Sequence, residues 1–264
     1  MSIYDSSFIM VYCIVLAAIL GAVFGSFLNC AAWRIAHKES FLKGRSHCTA
    51  CGHVLSLPDL IPVFSWLFLR GRCRYCGEKV SARYLLAELF FALMAVLCLL
   101  RDDLTIFLAR DMILACCLFC LSLVDLEIME IPDGTIILAI AAWVLSAPFT
   151  GMGLKELGLH VLALGVYGGG LLLISLLFDR ILKRESMGGG DIKLLGVAGL
   201  YLGLGTCLFA LILACILGLV FGVLYKKIRP EGDGAFPFGP AIAMATWLML
   251  LYGAPLTAWY FGLF

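Results

Sequence analysis

Long apolar runs dominate this chain and decide what it can fold into. A helix of roughly 20 apolar residues crosses the ~30 Å hydrocarbon core of a bilayer. Of the 264 residues, 63% are hydrophobic and only 14% are charged, which is too little polar surface to cover a soluble globule. The sequence therefore predicts an all-α, polytopic membrane protein. Eight transmembrane helices are predicted, near residues 8–33, 84–100, 105–125, 134–149, 156–178, 191–204, 206–225 and 238–260.

The distribution of Lys and Arg predicts the orientation, because basic residues favour the cytoplasmic side of a membrane. With the N-terminus outside, all but three of the 19 basic residues fall in cytoplasmic segments. The first run is too long for a cleaved signal peptide, so we expect a retained helix. The predicted domains are residues 1–33 as the first helix, 34–83 as a cytoplasmic loop domain and 84–264 as a seven-helix membrane domain.

Two Cys-x2-Cys pairs lie in the predicted cytoplasmic loop, and each is followed by a glycine that permits a tight turn. Two such knuckles complete a tetrahedral sulfur shell suited to Zn²⁺, and four protein ligands leave no open position, which indicates a structural site. Reduced thiols or two disulfides are the alternatives, but disulfides are disfavoured in the cytoplasm. We expect His47 and His53 to be solvated loop residues. The predicted zinc ligands of this zinc-ribbon-like loop are Cys48, Cys51, Cys73 and Cys76.

Two aspartates lie at the ends of predicted membrane helices. Because a charged side chain in hydrocarbon carries a cost in insertion free energy, such a residue indicates a functional site. Asp125 ends the third predicted span, and Asp191 opens the sixth. Both are predicted at the cytoplasmic end of their helices. Two carboxyl groups brought together there share a proton, so one serves as acid and the other as base. Such a pair activates water against a peptide carbonyl, which is aspartyl-protease chemistry.

Three glycines, Gly188, Gly189 and Gly190, precede Asp191. We expect them to form a loop with backbone angles closed to other residues, one that positions Asp191 and receives an extended substrate backbone. Taken singly, Asp191 is also typical of a helix N-cap, and Asp125 of a hydrated residue at a helix end. Their occurrence at one membrane face favours the catalytic interpretation.

Other acidic residues near the pair have simpler interpretations. Asp133 is expected to cap the fourth helix. Glu127 and Glu130 either attract a basic substrate segment or are solvated loop acids. Glu88 is expected to pair with a nearby arginine, and a role in substrate binding or methyl transfer is the alternative.

Two further polar features lie deeper in the predicted membrane domain. Arg110 and Asp111 are expected to extend toward the membrane surface as a pair. His160 is expected to be a satisfied helix residue. Two other functional classes stay open: a transporter that uses Asp125 and Asp191 as a proton relay, and a non-enzymatic assembly factor that docks through the cysteine loop.

An ordered set of motifs resembles the bacterial type IV prepilin leader peptidase and N-methyltransferase family, over nearly the whole chain. The motifs are FGSFLNC followed by Arg34, the two Cys-x2-Cys knuckles, DLIPVFSWLFLRGRCRYCGEKVSARYLLAELF, an Asp eight residues before the Asp of IPDG, GGGDIK and FPFGP.

The resemblance implies an intramembrane aspartyl protease of the Gly-x-Gly-Asp type in a bacterial inner membrane, with Asp125 and Asp191 as its catalytic residues. Members of the family cut type IV prepilins and type II secretion pseudopilins after a glycine that follows a basic leader. They then methylate the new N-terminus with S-adenosylmethionine. The resemblance assigns the methyl-donor pocket to no particular residues. Neither a nucleic-acid partner nor an oligomeric state is predicted.

Overall fold

The computed structural model describes residues 7–40, 44–183, 187–228 and 236–262. Within these residues the fold is helical, without a β-strand, and the only strand-like pairing is two isolated bridges in the cysteine loop. Of the basic residues used for orientation, Lys43, Arg184 and Arg229 lie outside the described ranges. The helices are α1 (Ser7–Ala36), α2 (Phe64–Phe68), α3 (Ala82–Asp102), α4 (Ile106–Ile128), α5 (Asp133–Ser146), α6 (Leu154–Leu164), α7 (Leu171–Leu182), α8 (Gly189–Ile228) and α9 (Gly239–Phe261).

The chain divides into two compact units, Met1–Leu108 and Ala109–Phe264. The three-part division predicted from the sequence stays a prediction. In the first unit α1 and α3 pack against each other in opposite directions. A methyl group built on Gly21 would lie 2.8 Å from Ala92 Cα, and one built on Gly25 would lie 2.9 Å from Ala87 O. Small residues four positions apart therefore let these two apolar helices approach closely, as is common in membranes.

Six helical segments of the described chain are long and apolar enough to cross a membrane. They include α1, α3, α4, α8 and α9, together with a continuous segment in which α6 joins α7 through the π-helix Gly165–Gly170. A shorter apolar segment, Asp133–Phe149, comprises α5 and a 3₁₀ turn. The multi-pass membrane architecture predicted from composition is confirmed.

The long helix α8 is broken at Gly203, whose φ of 73° and ψ of 178° are not helical. Two side chains from the neighbouring helical segment satisfy carbonyl groups beside the break. The ring nitrogen Nδ1 of His160 lies 2.8 Å from Leu200 O, and the Tyr167 hydroxyl donates to Leu204 O at 2.6 Å. The expectation that His160 is a satisfied helix residue is confirmed.

The two halves of α8 run in opposite directions. A methyl group built on Gly190, in the first half, would lie 2.8 Å from Ile131 Cβ, and Ile131 in turn lies against Gly239 at the start of α9. In the second half, Gly218 lies against the ring of Phe238. A straight helix would place Gly190 and Gly218 about 42 Å apart, so α8 must fold back at its break. The two spans predicted at 191–204 and 206–225 are therefore both present, and the eight predicted spans are accounted for.

Candidate active site

Asp125 lies near the end of α4 with its side chain inside the second unit. Only 4% of the residue is exposed, and its Oδ2 accepts a hydrogen bond of 2.9 Å from the backbone N–H of Gly239. Gly239 is the first residue of α9, where N–H groups have no partner within the helix. The start of α9 therefore supplies a donor to a carboxylate that has been taken out of water.

Asp191 lies in the first turn of α8 and is half-buried. Its backbone N–H donates to Gly188 O at 3.1 Å. Its Oδ2 lies on the same side, 3.1 Å from a methyl group built on Gly188. The helix begins at Gly189, so Asp191 is within the first turn and does not occupy the N-cap position. The simple capping interpretation of this residue is therefore wrong.

Ile131 brings the surroundings of the two aspartates together. Its side chain lies against Gly190, the residue before Asp191, and against Gly239, the residue that donates to Asp125. The structure thus brings the two sequence-predicted aspartates into one small region at the meeting point of α4, α8 and α9.

The role expected for the three glycines needs correction. Gly189 and Gly190 belong to the first turn of α8, and none of the three has a positive φ. Other amino acids could therefore adopt the same backbone angles at these three positions. The three glycines do not form the predicted loop with angles that only glycine adopts. Glycine is required at position 190 because a side chain there would overlap Ile131. Gly189 has open space around it.

Acidic residues around the pair are placed differently from one another. Glu127 and Glu130 are both exposed. Asp133 does not cap α5, whose N-cap position is Pro132. Its Oδ1 accepts from Lys193 Nζ at 2.6 Å, so the expected cap is instead an exposed ion pair that joins the starts of α5 and α8. Such a pair contributes little by itself, but it lies beside the turn that carries Asp191.

A buried polar cluster lies farther along the same helices. Arg110 and Asp111 are 6% and 0% exposed, and Nε of the arginine donates to Oδ1 of the aspartate at 2.7 Å. The predicted extension toward the membrane surface is wrong, because the pair is enclosed by helices. Arg110 Cζ lies 5.4 Å from the ring centroid of Tyr201 in α8, and the Tyr201 hydroxyl donates to Ala139 O in α5 at 2.8 Å. The cluster thereby joins α4, α5 and α8.

Sequence reasoning also missed the contact between Gly239 and Asp125. The available signal was the Phe-Pro-Phe-Gly-Pro segment, whose prolines fix the chain as it enters α9. The sequence could not identify the single N–H that reaches Asp125.

The four predicted zinc ligands lie together in the first unit. Their sulfur atoms are all within 4.8 Å of one another, and the Sγ atoms of Cys48 and Cys76 are 3.9 Å apart. Four sulfurs placed ~2.3 Å from a tetrahedral zinc would be separated by about 3.8 Å. Gly52 and Gly77 have positive φ values of 71° and 73°. This confirms the prediction that each knuckle needs a glycine for its tight turn. The donor set and its size therefore fit Zn²⁺.

The pKa values of the cysteine thiols differ within the cluster, as expected for thiols that compete for negative charge. Hydrogen bonds from the backbone N–H groups of Cys51 and Ala50 lower the pKa of Cys48 to about 7. The backbone N–H of Glu78 lowers the pKa of Cys76, but desolvation and the neighbouring thiols outweigh it and raise that pKa to about 12. Four thiolates cannot form this close together unless a positive ion compensates their charge.

Asp59 joins the second knuckle to the preceding turn of the loop. Its Oδ1 accepts from Arg74 Nε at 2.7 Å, and its Oδ2 accepts from Tyr75 and from the Ser56 hydroxyl at 2.9 and 2.6 Å. Hydrogen bonds from Ser56, together with those from Tyr75 and Arg74, lower the pKa of Asp59 to about 2. This carboxylate is therefore fully ionised at neutral pH and holds three parts of the loop together.

The two histidines of the loop and Glu88 of α3 were also assigned roles from the sequence. The ring of His53 lies against that of Tyr75, with centroids 3.6 Å apart and planes tilted by 32°, and neither His53 nor His47 belongs to the sulfur cluster. Glu88 was expected to pair with an arginine. Instead its Oε2 accepts from the backbone N–H of Val63 at 2.6 Å, and the residue is 7% exposed. Glu88 thus links α3 to the loop.

Comparison with protein families matches two consecutive parts of the chain. Residues 19–101 match the family model described as the bacterial peptidase A24 N-terminal domain. Residues 112–223 match the type IV leader peptidase family. The second match includes both aspartates, and the first includes all four cysteines.

Curated relatives match across most of the chain. A prepilin leader peptidase/N-methyltransferase from Aeromonas salmonicida is 35% identical over 225 residues, which cover 82% of this chain and 74% of the relative. A protein of the same name from Pseudomonas putida is 32% identical and covers 92% of this chain and 91% of its own. A type 4 prepilin-like proteins leader peptide-processing enzyme from Escherichia coli is 33% identical, with coverages of 87% and 90%. No solved structure matches the chain.

Proposed function

Because this chain belongs to the type IV leader peptidase family, we propose that it is an intramembrane aspartyl endopeptidase whose catalytic residues are Asp125 and Asp191. The observation that carries the proposal is their convergence at the ends of α4 and α8. One carboxylate is buried against the N-terminus of α9, and the other lies half-buried beside it.

The chemistry proposed for the pair is direct hydrolysis by water. The ionised carboxylate takes a proton from a water molecule, whose oxygen attacks the peptide carbonyl carbon. The protonated carboxyl group gives its proton to the carbonyl oxygen. The C–N bond then breaks as the nitrogen takes a proton from one carboxyl group, while a hydroxyl group of the tetrahedral intermediate returns its proton to the other. The pair thereby regains its starting state of one ionised and one protonated carboxyl group. The half-buried position of Asp191 leaves room for water and substrate, whereas buried Asp125 is held in one orientation by Gly239 N–H.

The proposed substrates are type IV prepilins or type II secretion pseudopilins, cut after the glycine that follows their basic leader. Glu127 and Glu130 are exposed at the end of α4 and just beyond it, where they would attract a basic segment. Gly188 and Gly189 are exposed, and Gly190 completes the same turn. With no side chains, these glycines leave the backbone beside Asp191 accessible to an extended substrate.

The proposed second activity is methylation of the newly exposed N-terminus, with S-adenosylmethionine as co-substrate. It rests on the names of the relatives and on the match of residues 19–101 to the family's N-terminal domain. The cysteine cluster would hold Zn²⁺ as a structural staple of the loop, because its four sulfurs leave no ligand position for substrate. The proposed location is the bacterial inner membrane, with the catalytic pair at the cytoplasmic face.

Cleavage of a purified prepilin, followed by mass spectrometry, tests the peptidase proposal. We expect Asp125→Asn and Asp191→Asn each to lower the cleavage rate by on the order of 10²–10⁴-fold, the usual contribution of a positioned acid or base. Asp133→Asn is the matched control, because Asp133 lies at the same end of the helices but is exposed in an ion pair. Full cleavage by either catalytic variant would refute the assignment and favour an assembly factor. Adding S-adenosylmethionine shows whether the product gains a methyl group.

A further inference from the structure

Five large apolar side chains project from the loop that precedes α3. They lie on the 3₁₀ turn Leu57–Leu60, on the short helix α2 and between the two. None of the five is buried by the described residues of the chain, and the ring centroids of Phe64 and Phe68 lie 6.4 Å apart. Exposed apolar side chains grouped in this way mark an interaction surface. We call them the apolar foot: Leu57 (83% exposed), Ile61 (50%), Phe64 (59%), Leu67 (52%) and Phe68 (83%).

A hydrogen bond to the buried carboxylate of Glu88 holds the start of α2 near the beginning of α3. The backbone N–H of Val63, the N-cap residue of α2, donates to Glu88 Oε2 at 2.6 Å. Glu88 lies six residues after the start of α3 at Ala82, which is about 9 Å along the helix axis. The start of α2 therefore lies within reach of the second turn of a membrane-spanning helix, near the end at which that helix begins.

Two further contacts hold α2 in this position. Trp66 Nε1 donates to Val80 O at 3.2 Å, and Gly71 packs so closely on the Trp66 ring that a methyl group there would lie 2.7 Å from it. Val63 has a φ of 64°, an uncommon conformation for a β-branched residue that persists only where surrounding contacts impose it. The foot is thus held by specific contacts on one side and has no protein partner in the described chain on the other.

Charge next to the foot matches a membrane surface. Arg70 and Arg72 follow α2 directly, and both are exposed. Basic residues beside an apolar segment are attracted to anionic headgroups, and Trp66 is the kind of residue that is enriched where hydrocarbon meets water.

From these observations we propose that the apolar foot inserts into the lipid bilayer, at the headgroup and acyl boundary of the leaflet where α1 ends and α3 begins. The occupant of this surface is phospholipid, with acyl chains against the foot and anionic headgroups against Arg70 and Arg72. The cysteine loop is then held to the membrane at three places, by α1, by α3 and by the foot. This inference goes beyond the proposed function and does not depend on it.

Photocrosslinking in the full-length protein tests the proposal. A benzophenone amino acid is placed at Phe68, or at Glu78 as the control, which is exposed in the second knuckle. The protein is reconstituted in vesicles of phosphatidylglycerol and phosphatidylcholine. Because a foot in the bilayer touches acyl chains, we expect at least about tenfold more lipid adduct at position 68 than at 78. Equal lipid yields, or adducts at 68 only with a second copy of the chain, would overturn the proposal.

Variants of Glu88 test the hydrogen bond that holds the start of α2 near the beginning of α3. Glu88→Gln keeps an oxygen that accepts from Val63 N–H, whereas Glu88→Ala removes it. We expect the lipid adduct at position 68 to persist in Glu88→Gln and to fall several-fold in Glu88→Ala. The zinc content of both proteins, measured in parallel, reports whether the cysteine loop is still folded. An unchanged adduct yield in Glu88→Ala, with zinc retained, would show that Glu88 does not hold the foot in place.

Discussion

The cysteine cluster and the aspartate pair each join residues that are distant in the sequence, but different physics assembles them. Each half of the cysteine cluster is a local turn, in which two sulfurs three residues apart converge because a following glycine takes a positive φ. The aspartate pair has no local component. It exists only because three membrane helices meet, with α9 contributing an N–H group to Asp125 and Ile131 filling the space between two glycines.

This difference predicts which perturbations each site tolerates. A site built from local turns around the proposed zinc tolerates changes in helix packing, but it is lost when the metal is removed. A site built from packed helices is insensitive to the metal, but it is disturbed by a single added methyl group at a helix contact. The effects of four changes on prepilin cleavage, taken from the largest to the smallest, test this contrast.

Glycines at the helix contacts should be the most sensitive positions outside the aspartates themselves. A methyl group at Gly239 would lie 2.7 Å from Asp125 Oδ2, and one at Gly190 would lie 2.8 Å from Ile131 Cβ. Because a displacement of about 1 Å in a catalytic group costs on the order of 100-fold in rate, we expect Gly239→Ala and Gly190→Ala to lower kcat by about that factor. Single-turnover cleavage of a prepilin measures it.

The matched control for both variants is Gly189→Ala. Gly189 lies in the same helical turn as Gly190, but no atom lies within 4 Å of an added methyl group. We expect this variant to cleave at nearly the normal rate. Equal losses at all three positions would mean that glycine flexibility, and not close approach, is what the site requires.

A substitution at the break in α8 should have the next largest effect on cleavage, because it lowers the stability of the fold. At Gly203 a side chain would have to adopt a φ of 73° and a ψ of 178°, a region that is nearly closed to other residues and costs about 1–3 kcal/mol. We expect Gly203→Ala to lower the thermal unfolding midpoint and to reduce cleavage several-fold. Gly158→Ala, on an open helix surface, should leave both unchanged. A Gly203→Ala protein with normal stability would argue against the tight reversal of α8.

Removing the metal should disturb the cysteine loop and leave the aspartate pair almost unaffected. We expect Cys48→Ser, or treatment of the wild type with a strong chelator, to release the bound zinc and to expose the loop to protease. Cleavage of prepilin should change by only about twofold or less, because a four-sulfur site supports the fold and does not bind substrate. Metal analysis and limited proteolysis measure the first effect, and the peptidase assay measures the second. Loss of cleavage comparable to that of Asp191→Asn would contradict a purely structural role.

Asp59→Asn should be the mildest of the changes. It removes the charge that binds Arg74 and Tyr75, and we expect the loop to lose about 1 kcal/mol of stability with no measurable change in cleavage. The pKa of Asp59 is lowered from 3.8 to about 2, so its stabilising contribution is complete above about pH 4 and lost as pH falls through about 2. The difference between wild type and variant, measured by protease sensitivity of the loop, should therefore be constant between about pH 6 and pH 8. A difference that grew with pH in this range would implicate another group.

The sequence predicted most of the fold because the physics of a bilayer leaves few choices. Span lengths, the eight segments and even the division of α8 followed from apolar runs and glycine. The cysteine site was also predictable, because knuckle spacing determines its geometry. Sequence did not predict the helical start at Gly189, because three consecutive glycines have poor helix propensity and the packing against Ile131 that favours this turn is not visible in the sequence.

The remaining errors share one cause. Asp133 and Glu88 were each assigned the simplest local role, yet their partners lie on other elements, at Lys193 and at the backbone of Val63. Arg110 keeps its predicted partner Asp111, but the pair is enclosed by other helices, with the ring of Tyr201 beside it. Partners that are brought together by tertiary packing cannot be identified from a single sequence. For the aspartate pair, the family resemblance supplied the assignment, and the structure supplied the contacts of Gly239 and Ile131.

The central claim is that Asp125 and Asp191 act as one unit on a single substrate group, and binding of a transition-state analogue tests it most directly. The probe is a prepilin-derived peptide in which a hydroxyl-bearing tetrahedral carbon replaces the scissile carbonyl. Its dissociation constant is measured for wild type, Asp125→Asn, Asp191→Asn and the double variant. The effects of residues that act as a unit are not additive, so we expect each single variant to lose nearly as much affinity as the double variant. Losses that add independently, or a single variant that binds the analogue as tightly as wild type, would contradict it.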